Sequence, residues 1–322
     1  MAGVQKRGNT KTSNQPIINQ DEITQYQAKY PNIFSRLSQA YITKDTTIVF
    51  IIDIDDTLVK TMQLIFGCFK DSVKNLSKVR QNELIGKDLK EFTDRFLDEN
   101  TNKGKIDTMV SSTKSKLQKG EELASSPRAD YDTKYKDVGL MSGAVETLQL
   151  LNEIREKTGL SNIKIVLYSN NYMDNLVSST ACRQLFPHAD VVFAAQKVYY
   201  TDEKGEQKYR VKIKGKPFTD ALKHGLEENK ISVAPENSIF FGIGDRKTDI
   251  TVLTNLKKEE ESHIGGCFYL DTHSRAKTEA KSDTIAVDAG DSHIDIQEWT
   301  KLALSMIKDG IDNQENSAVK AA

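Results

Sequence analysis

Three carboxylates, Asp53, Asp55 and Asp56, fall within four positions directly behind the apolar run Ile48 to Ile52. Such a run marks a strand buried on both faces, whereas acids are the side chains that most resist burial. Placed where the strand runs out, at the mouth of an α/β sheet, they stay near water and can face a metal or a substrate. The same letters also have a structural use, because Asp55, Asp56 and Thr57 suit the end of a strand and the cap of a turn. Partner groups at other strand ends weigh against that simpler use. Ser169 and Asn170 end the run "IKIVLYSN", Lys216 precedes Pro217 at the start of a helix, and Asp245 and Asp249 lie in "FFGIGDRKTDI" behind another apolar run.

Elements that would bring these groups together follow from the periodicity. From about residue 140, helical and strand patterns alternate. "GAVETLQLLNEIREKTG" reads as a helix, "IKIVLYSNN" as a strand, "NLVSSTACRQLF" as a helix and "ADVVFAA" as a strand. "KVYYTDEKGEQKYRVKI" reads as a hairpin turning near Gly205. The helix "FTDALKHGLEE", the strands "SIFFGIGD", "GGCFYLDT" and "TIAVDAG", and the helix "DIQEWTKLALSMI" complete the pattern. Alternating β and α units predict an α/β fold, a Rossmann-like parallel sheet with helices on both faces, in three layers. Ligands of such sheets bind beyond the carboxyl ends of the strands.

Two stretches depart from this alternation. Residues 1–20 are polar and aperiodic and are expected to be disordered, as are residues 313–322. Residues 21–41 carry Ile23, Tyr26, Tyr30, Phe34 and Leu37 at helical spacing, with Pro31 as a break or kink. Between about 60 and 138 the chain is rich in Lys, Asp and Glu. "MQLIFGCFKDSVKNL" and "ELIGKDLKEFTDRFLDE" there read as amphipathic helices, and "SSTKSKLQKGEELASSPRADYD" as a helix followed by a loop.

The four strand-end stretches, in this order, resemble the haloacid dehalogenase superfamily of phosphatases and phosphotransferases. "DIDDT" matches that family's first motif, "YSNN" fits the looser second, "GKP" the third and "GDRKTD" the fourth. The likeness covers roughly residues 45–60 and 140–305, within a core domain expected over residues 21–59 and 139–312, and implies that residues 60–138 form a smaller helical cap over the site. It assigns the nucleophile to Asp53, which would form an aspartyl-phosphate that water opens. Hydrolysis of a phosphate monoester is slow enough that on the order of 20 kcal/mol of barrier must be removed, and a carboxylate attacking a dianion needs its charge screened. The resemblance implies Mg²⁺ for this, held by Asp53, Asp245 and the backbone carbonyl of Asp55, with Asp249 on the metal or its water. Oxygen ligands suit Mg²⁺ better than zinc. Lys216 would compensate phosphate charge, Ser169 and the N–H of Asn170 would bind a phosphoryl oxygen, Thr57 would line the same pocket, and Asp55 would act as acid and then base. An aspartate at position 55 argues for phosphatase or phosphomutase chemistry, since the dehalogenating branch lacks it and the ion-pumping branch has threonine. Asp56 occupies a variable position and reads as a solvated or turn-stabilising carboxylate.

"AVDAGDSHIDI" repeats the letters of the fourth motif at Asp291 and Asp295. Order and spacing favour Asp245 and Asp249, since the stretch after Lys216 leaves room for one helix and one strand before them. Asp291 or Ser292 then serves a turn, and Asp295 caps a helix. Placement before Pro217 likewise favours Lys216 over Lys212 and Lys214.

The formal charge of −1 gives no overall attraction to nucleic acid or an anionic membrane. Residues 60–136 hold 16 Lys and Arg against 12 Asp and Glu, too small an excess to argue a nucleic-acid substrate. Cys68, Cys182 and Cys267 are widely spaced and form no CxxC pair, which suggests reduced thiols and neither a disulfide frame nor a zinc site. His188 and His224 read as surface residues, and Trp299, Tyr199, Tyr200 and Tyr209 as packing. No apolar h-region opens the chain, and no apolar run approaches ~18 residues. The expectation is a cytoplasmic enzyme acting on a small phosphorylated metabolite.

Overall fold

Alternate side chains of the strand Thr47–Asp53 (β1) go to opposite faces of a sheet. Ile48, Phe50 and Ile52 enter one apolar cluster, while Val49 and Ile51 enter another. β1 is therefore buried on both sides, as its apolar run requires. It lies at the centre of a seven-stranded sheet in the computed structural model, which describes residues 17, 21, 24, 25, 42–96, 106–201, 207–213, 215–270, 286–288, 290 and 292–321. The other strands are β2 (Ile163–Tyr172), β3 (Val191–Thr201), β4 (Gln207–Ile213), β5 (Ser238–Gly244), β6 (His263–Tyr269) and β7 (Ala286–Asp288). Their order is β4-β3-β2-β1-β5-β6-β7. All neighbours run parallel except β3 and β4, which pair antiparallel with Tyr199 opposite Tyr209. The hairpin turn itself, the tail 1–20 apart from Ile17, most of the helical pattern 21–41, Lys214 and Asp291 lie outside the described residues.

The helices between β1 and β2 begin with α1 (Thr61–Ser72), α2 (Lys78–Ile85), α3 (Leu89–Phe96), α4 (Ile106–Ser115) and α5 (Pro127–Lys134), followed by a 3-10 turn at Tyr135–Asp137. The pattern that reads as one helix across residues 83–99 is broken at Gly86, whose φ of 92° is a left-handed value. A Cβ there would meet the Phe92 nitrogen at 3.0 Å, so glycine lets the chain turn and lay α3 back against α1. Phe66, Phe69, Phe92 and Phe96 then meet ring to ring at 5.1–5.8 Å. The chain leaves and rejoins the sheet layer through one doorway. Val59 bridges Leu140 antiparallel, and Lys60 N–H donates to the Gly139 carbonyl at 2.8 Å.

The remaining helices are α6 (Ala144–Lys157), α7 (Met173–Ser178), α8 (Thr180–Leu185), α9 (Asp220–Glu228), α10 (Lys247–Glu260) and α11 (His293–Ala321). α7 and α8 divide what the sequence suggests is one helix. Ser179 is extended there, and its Oγ accepts from Cys182 N–H at 3.2 Å, opening a second helix. α6 and α11 supply Leu148, Leu151, Leu302 and Ile307 to one face of the sheet, while α9 and α10 supply Leu222, Leu226, Leu253 and Leu256 to the other. Rings of Phe50, Phe241, Phe268 and Trp299 stack in sequence from β1 to α11 at 5.1, 5.9 and 5.8 Å. Residues 313–321, expected as a disordered tail, continue α11. They contain no Gly or Pro, and extending an established helix is far easier than starting one.

Candidate active site

β1 and β5 are neighbours, so their carboxyl ends open side by side. Asp53 is the last residue of β1, Asp245 follows β5, and Asp249 stands in the first turn of α10. Each of these three buried residues offers a carboxylate oxygen, and the three atoms lie within 4.8 Å of one another. Gly244 makes this crowding feasible, because a Cβ at that position would fall 2.3 Å from Asp249 Oδ2. Asp249 also closes a capping box: its Oδ2 accepts from Arg246 N–H at 3.0 Å. Its Oδ1 accepts from Lys216 Nζ at 2.6 Å, and the same ammonium donates to Asp53 Oδ1. Thr57 Oγ1 sits 3.4 Å from Asp53 Oδ2 and 3.2 Å from Asp245 Oδ1.

Burial pushes the Asp53 carboxyl up to about 7, opposed by Lys216 and reinforced by the negative charges of Asp249 and Asp55. Burial likewise raises the Asp245 carboxyl well above the ordinary carboxylate range, against the attraction of Arg246. Burial alone would lower the Lys216 ammonium, but Asp249 and Asp53 outweigh it and hold the group well above its usual value. Asp53, Asp55, Asp56, Asp245 and Asp249 thus share their surroundings with two cations, Lys216 and Arg246. An excess of buried carboxylate with oxygen-only donors fits a hard divalent cation, and offers no nitrogen or sulfur for a zinc site.

Asp55 faces a different set of groups. Its Oδ2 accepts from Ser169 Oγ at 2.5 Å, and its Oδ1 from Tyr135 Oη at 2.9 Å. Burial raises its pKa, while these two hydroxyls pull it down. Ser169 Oγ in turn accepts from Asn171 N–H at 2.8 Å, and Asn171 Nδ2 donates to Tyr131 Oη at 3.0 Å. Asn170 is exposed, and its Nδ2 donates to the Lys216 carbonyl at 3.1 Å, so its side chain braces the lysine turn. Of the two uses the sequence allowed for Asp56, solvated or turn-stabilising, the structure shows the second. The residue is buried at a φ of 62°, accepts from Met62 N–H at 2.6 Å and pairs with Arg246 at 3.0 Å. The first turn of α1 and the guanidinium hold it there.

No family model matches the sequence, and no curated protein does. Solved structures do. A HAD family hydrolase from Deinococcus radiodurans, with bound phosphate and sodium, superposes with a TM-score of 0.50 at 15% identity, over 81% of this chain and 98% of its own. The chain has the fold of the HAD hydrolases. A hydrolase from Pseudomonas syringae (13% identity, 79% and 97% coverage, TM-score 0.45) and a haloacid dehalogenase-like family hydrolase from Streptococcus pneumoniae (13%, 80% and 100%, 0.43) are more distant in shape.

Within this HAD fold, Asp53, Thr57, Lys216, Asp245 and Asp249 meet at one point, and Asp55 with Ser169 forms its flank. Tyr135 and Arg246 were not foreseen from the sequence. Arg246 stands inside the fourth motif, and its charge between two aspartates was the available signal. Tyr135 gave none, since nothing in "DTKYKDVG" announces a partner 80 residues earlier. Lys212 and Lys214 lie outside the described side chains. Among the described residues no helix is long and apolar enough to cross a membrane.

Proposed function

We propose that this protein is a Mg²⁺-dependent phosphatase that hydrolyses a small phosphorylated metabolite through an aspartyl-phosphate on Asp53. The observation that supports it most is the placement of Asp53 beneath Lys216 and Thr57 and beside Asp245 and Asp249. A carboxylate surrounded this way is screened from an incoming phosphate dianion and aimed by fixed donors. Asp53 attacks phosphorus while the bond to the leaving oxygen breaks and Asp55 delivers its proton there. Asp55 then takes a proton from water, whose oxygen attacks phosphorus as the bond to Asp53 breaks, releasing inorganic phosphate. Lys216 neutralises phosphate charge through both half-reactions. The bound Mg²⁺, held by Asp53, Asp245, Asp249 and the Asp55 carbonyl, would supply the remaining charge compensation.

Residues 60–138 serve in this reading as the cap that excludes water and meets the leaving group. Tyr131 and Tyr135 reach from its last turns to the Asp55 flank. The test is phosphate release from a panel of phosphorylated metabolites and an aryl phosphate, with Mg²⁺ and with EDTA. Turnover that requires Mg²⁺ is expected. Silence toward every monoester, or full activity in EDTA, overturns the reading.

A further inference from the structure

The second Gly-Asp stretch, "GDSHID", plants a histidine against the nucleophile loop. Ser292 opens α11, and Asp295 folds back to accept from its N–H at 3.2 Å and its Oγ at 2.6 Å. That turn carries His293 into the interior, where it is 2% exposed. Its Nε2 lies 2.6 Å from the carbonyl oxygen of Thr57, and its Nδ1 lies 3.0 Å from Thr147 Oγ1. A carbonyl only accepts, so Nε2 carries the hydrogen. In the neutral ring Nδ1 is then an acceptor, and the Thr147 hydroxyl, which also lies 2.9 Å from the Gly143 carbonyl, divides its one hydrogen between the two. Burial lowers the pKa of the ring, which keeps this neutral form. Gly143 makes the room: its φ is 80°, and a Cβ there would stand 2.8 Å from His293 Cβ.

The geometry points to His293 as a positioning residue for the nucleophile loop, acting through the Thr57 carbonyl. The Thr57 hydroxyl touches both Asp53 and Asp245, so a peptide fixed at its carbonyl also fixes where that hydroxyl stands. Within the loop, Asp56 N–H bonds Val59 O at 2.8 Å and Leu58 and Val59 N–H bond Ile54 O at 2.8 and 3.0 Å, while Leu58 O accepts from Met141 N–H at 2.8 Å and Asp56 pairs with Arg246 at 3.0 Å. The histidine is thus a long-range tie, joining residue 57 to the start of the last helix and to α6.

The kinetic part of the test rests on the phosphatase reading, and the structural part does not. Hydrogen–deuterium exchange of the loop peptide spanning residues 54–60 is compared in the wild type, His293→Leu, His293→Gln and Thr147→Val, beside hydrolysis of an aryl phosphate with Mg²⁺. A leucine removes the donor, whereas a glutamine keeps a side-chain N–H of similar reach. In His293→Leu the loop amides are expected to exchange at least about 10-fold faster. Its kcat should fall about 10- to 100-fold, the scale on which a misplacement of about 1 Å acts, with a smaller change in KM. His293→Gln should recover most of both. Thr147→Val should move both in the same direction but less, and it decides the matter should His293→Leu not fold. Wild-type exchange in the leucine variant overturns the assignment. So does a glutamine variant as impaired as the leucine one, since ring packing would then be the cause. A wild type that cleaves no phosphate ester removes the phosphatase reading, while the exchange comparison still decides the role of His293.

Discussion

From the sheet side, the site receives charge. Asp53, Asp245 and Asp249 arrive at the ends of strands or the first turn of a helix, where ladders and capping bonds leave the backbone little freedom, and Lys216 arrives from the turn between β4 and α9. From the inserted helices it receives ring-borne hydroxyls: Tyr135 on Asp55, and Tyr131 on Asn171 beside it. The first kind of group is suited to the phosphoryl centre, where charge develops and must be met in place. The second reaches only the flank where a leaving group would stand. In the proposed reading, chemistry falls to the sheet and selectivity to the insertion. Yet one apolar cluster runs without a gap from Phe50 and Leu58 through Met62 and Phe69 to Tyr131. In this structure the two regions share a core.

The largest effect should come from the centre of the charged side. Asp53→Asn removes the attacking charge, and kcat should fall by about 10⁴-fold or more. Its stability should move the other way. The folded carboxyl lies at about 7 against an ordinary value of 3.8, so the folded state binds the extra proton between those values. The stability tied to Asp53 is therefore present at acid pH and lost as pH rises through about 7. In EDTA, melts of the wild type should fall from pH 5 to 8, and those of Asp53→Asn should fall less. Equal slopes would remove Asp53 as the source of that strain.

A smaller loss, about 10²- to 10³-fold in kcat, is expected for Lys216→Met, by comparison with the removal of a single preorganised donor. Because the lysine also separates Asp53 from Asp249, the variant should melt below the wild type in EDTA and regain part of the difference with Mg²⁺. Failure of Mg²⁺ to restore any of it would argue against a cation beside those carboxylates.

The insertion side is tested by Tyr135→Phe. A departing aryloxide needs little help from an acid, whereas an alkoxide needs a proton. With one of the two hydroxyls on Asp55 removed, turnover of an alkyl phosphate should drop by about 10-fold, within the range of general-acid effects. Hydrolysis of 4-nitrophenyl phosphate should stay within about 2-fold. If both substrates fall together, Tyr135 supports the whole site and the division between the two regions dissolves.

What the sequence makes legible follows the same division. Strand-end groups betray themselves locally, since an apolar run such as Ile48–Ile52 or Ile239–Ile243 stops at an acid with no reason to be there unless it faces something. The central sheet was readable on those grounds. Groups that act from a distance carry no such mark. Tyr135 meets Asp55 across 80 residues, Arg246 meets Asp56 across 190, and His293 meets Thr57 across 236. Each pairing is a product of tertiary packing, and each local sequence is compatible with an ordinary surface or core position. Breaks at Gly86 and Ser179 were hidden for a related reason: helical periodicity continues through both, and only the backbone angle or a capping hydroxyl reveals the stop.

The smallest effect is expected where the letters of the fourth motif recur without its surroundings. Asp295 follows "GDSHI" as Asp249 follows "GDRKT", but its partners are the Ser292 N–H and hydroxyl at the start of α11, and among the described residues no second carboxylate shares them. A capping aspartate acts through an accepted hydrogen bond and through its charge at the helix N-terminus. Asp295→Asn keeps a side-chain carbonyl that can accept, and loses only the charge. The cost should be about 0.3–1 kcal/mol, a shift of roughly 1–3 °C in the melting midpoint at this chain length. The Mg²⁺ concentration giving half-maximal phosphatase activity should not change. Asp249→Asn, made in parallel, keeps the same atoms but subtracts a charge from the carboxylate cluster, and it should raise that concentration several-fold. The same substitution would then be compared in two hexapeptides that share the Gly-Asp-x-x-x-Asp letters. A matching rise for Asp295→Asn would mean that metal binding follows the letters, and the assignment of the charged centre to β1 and β5 would have to be given up.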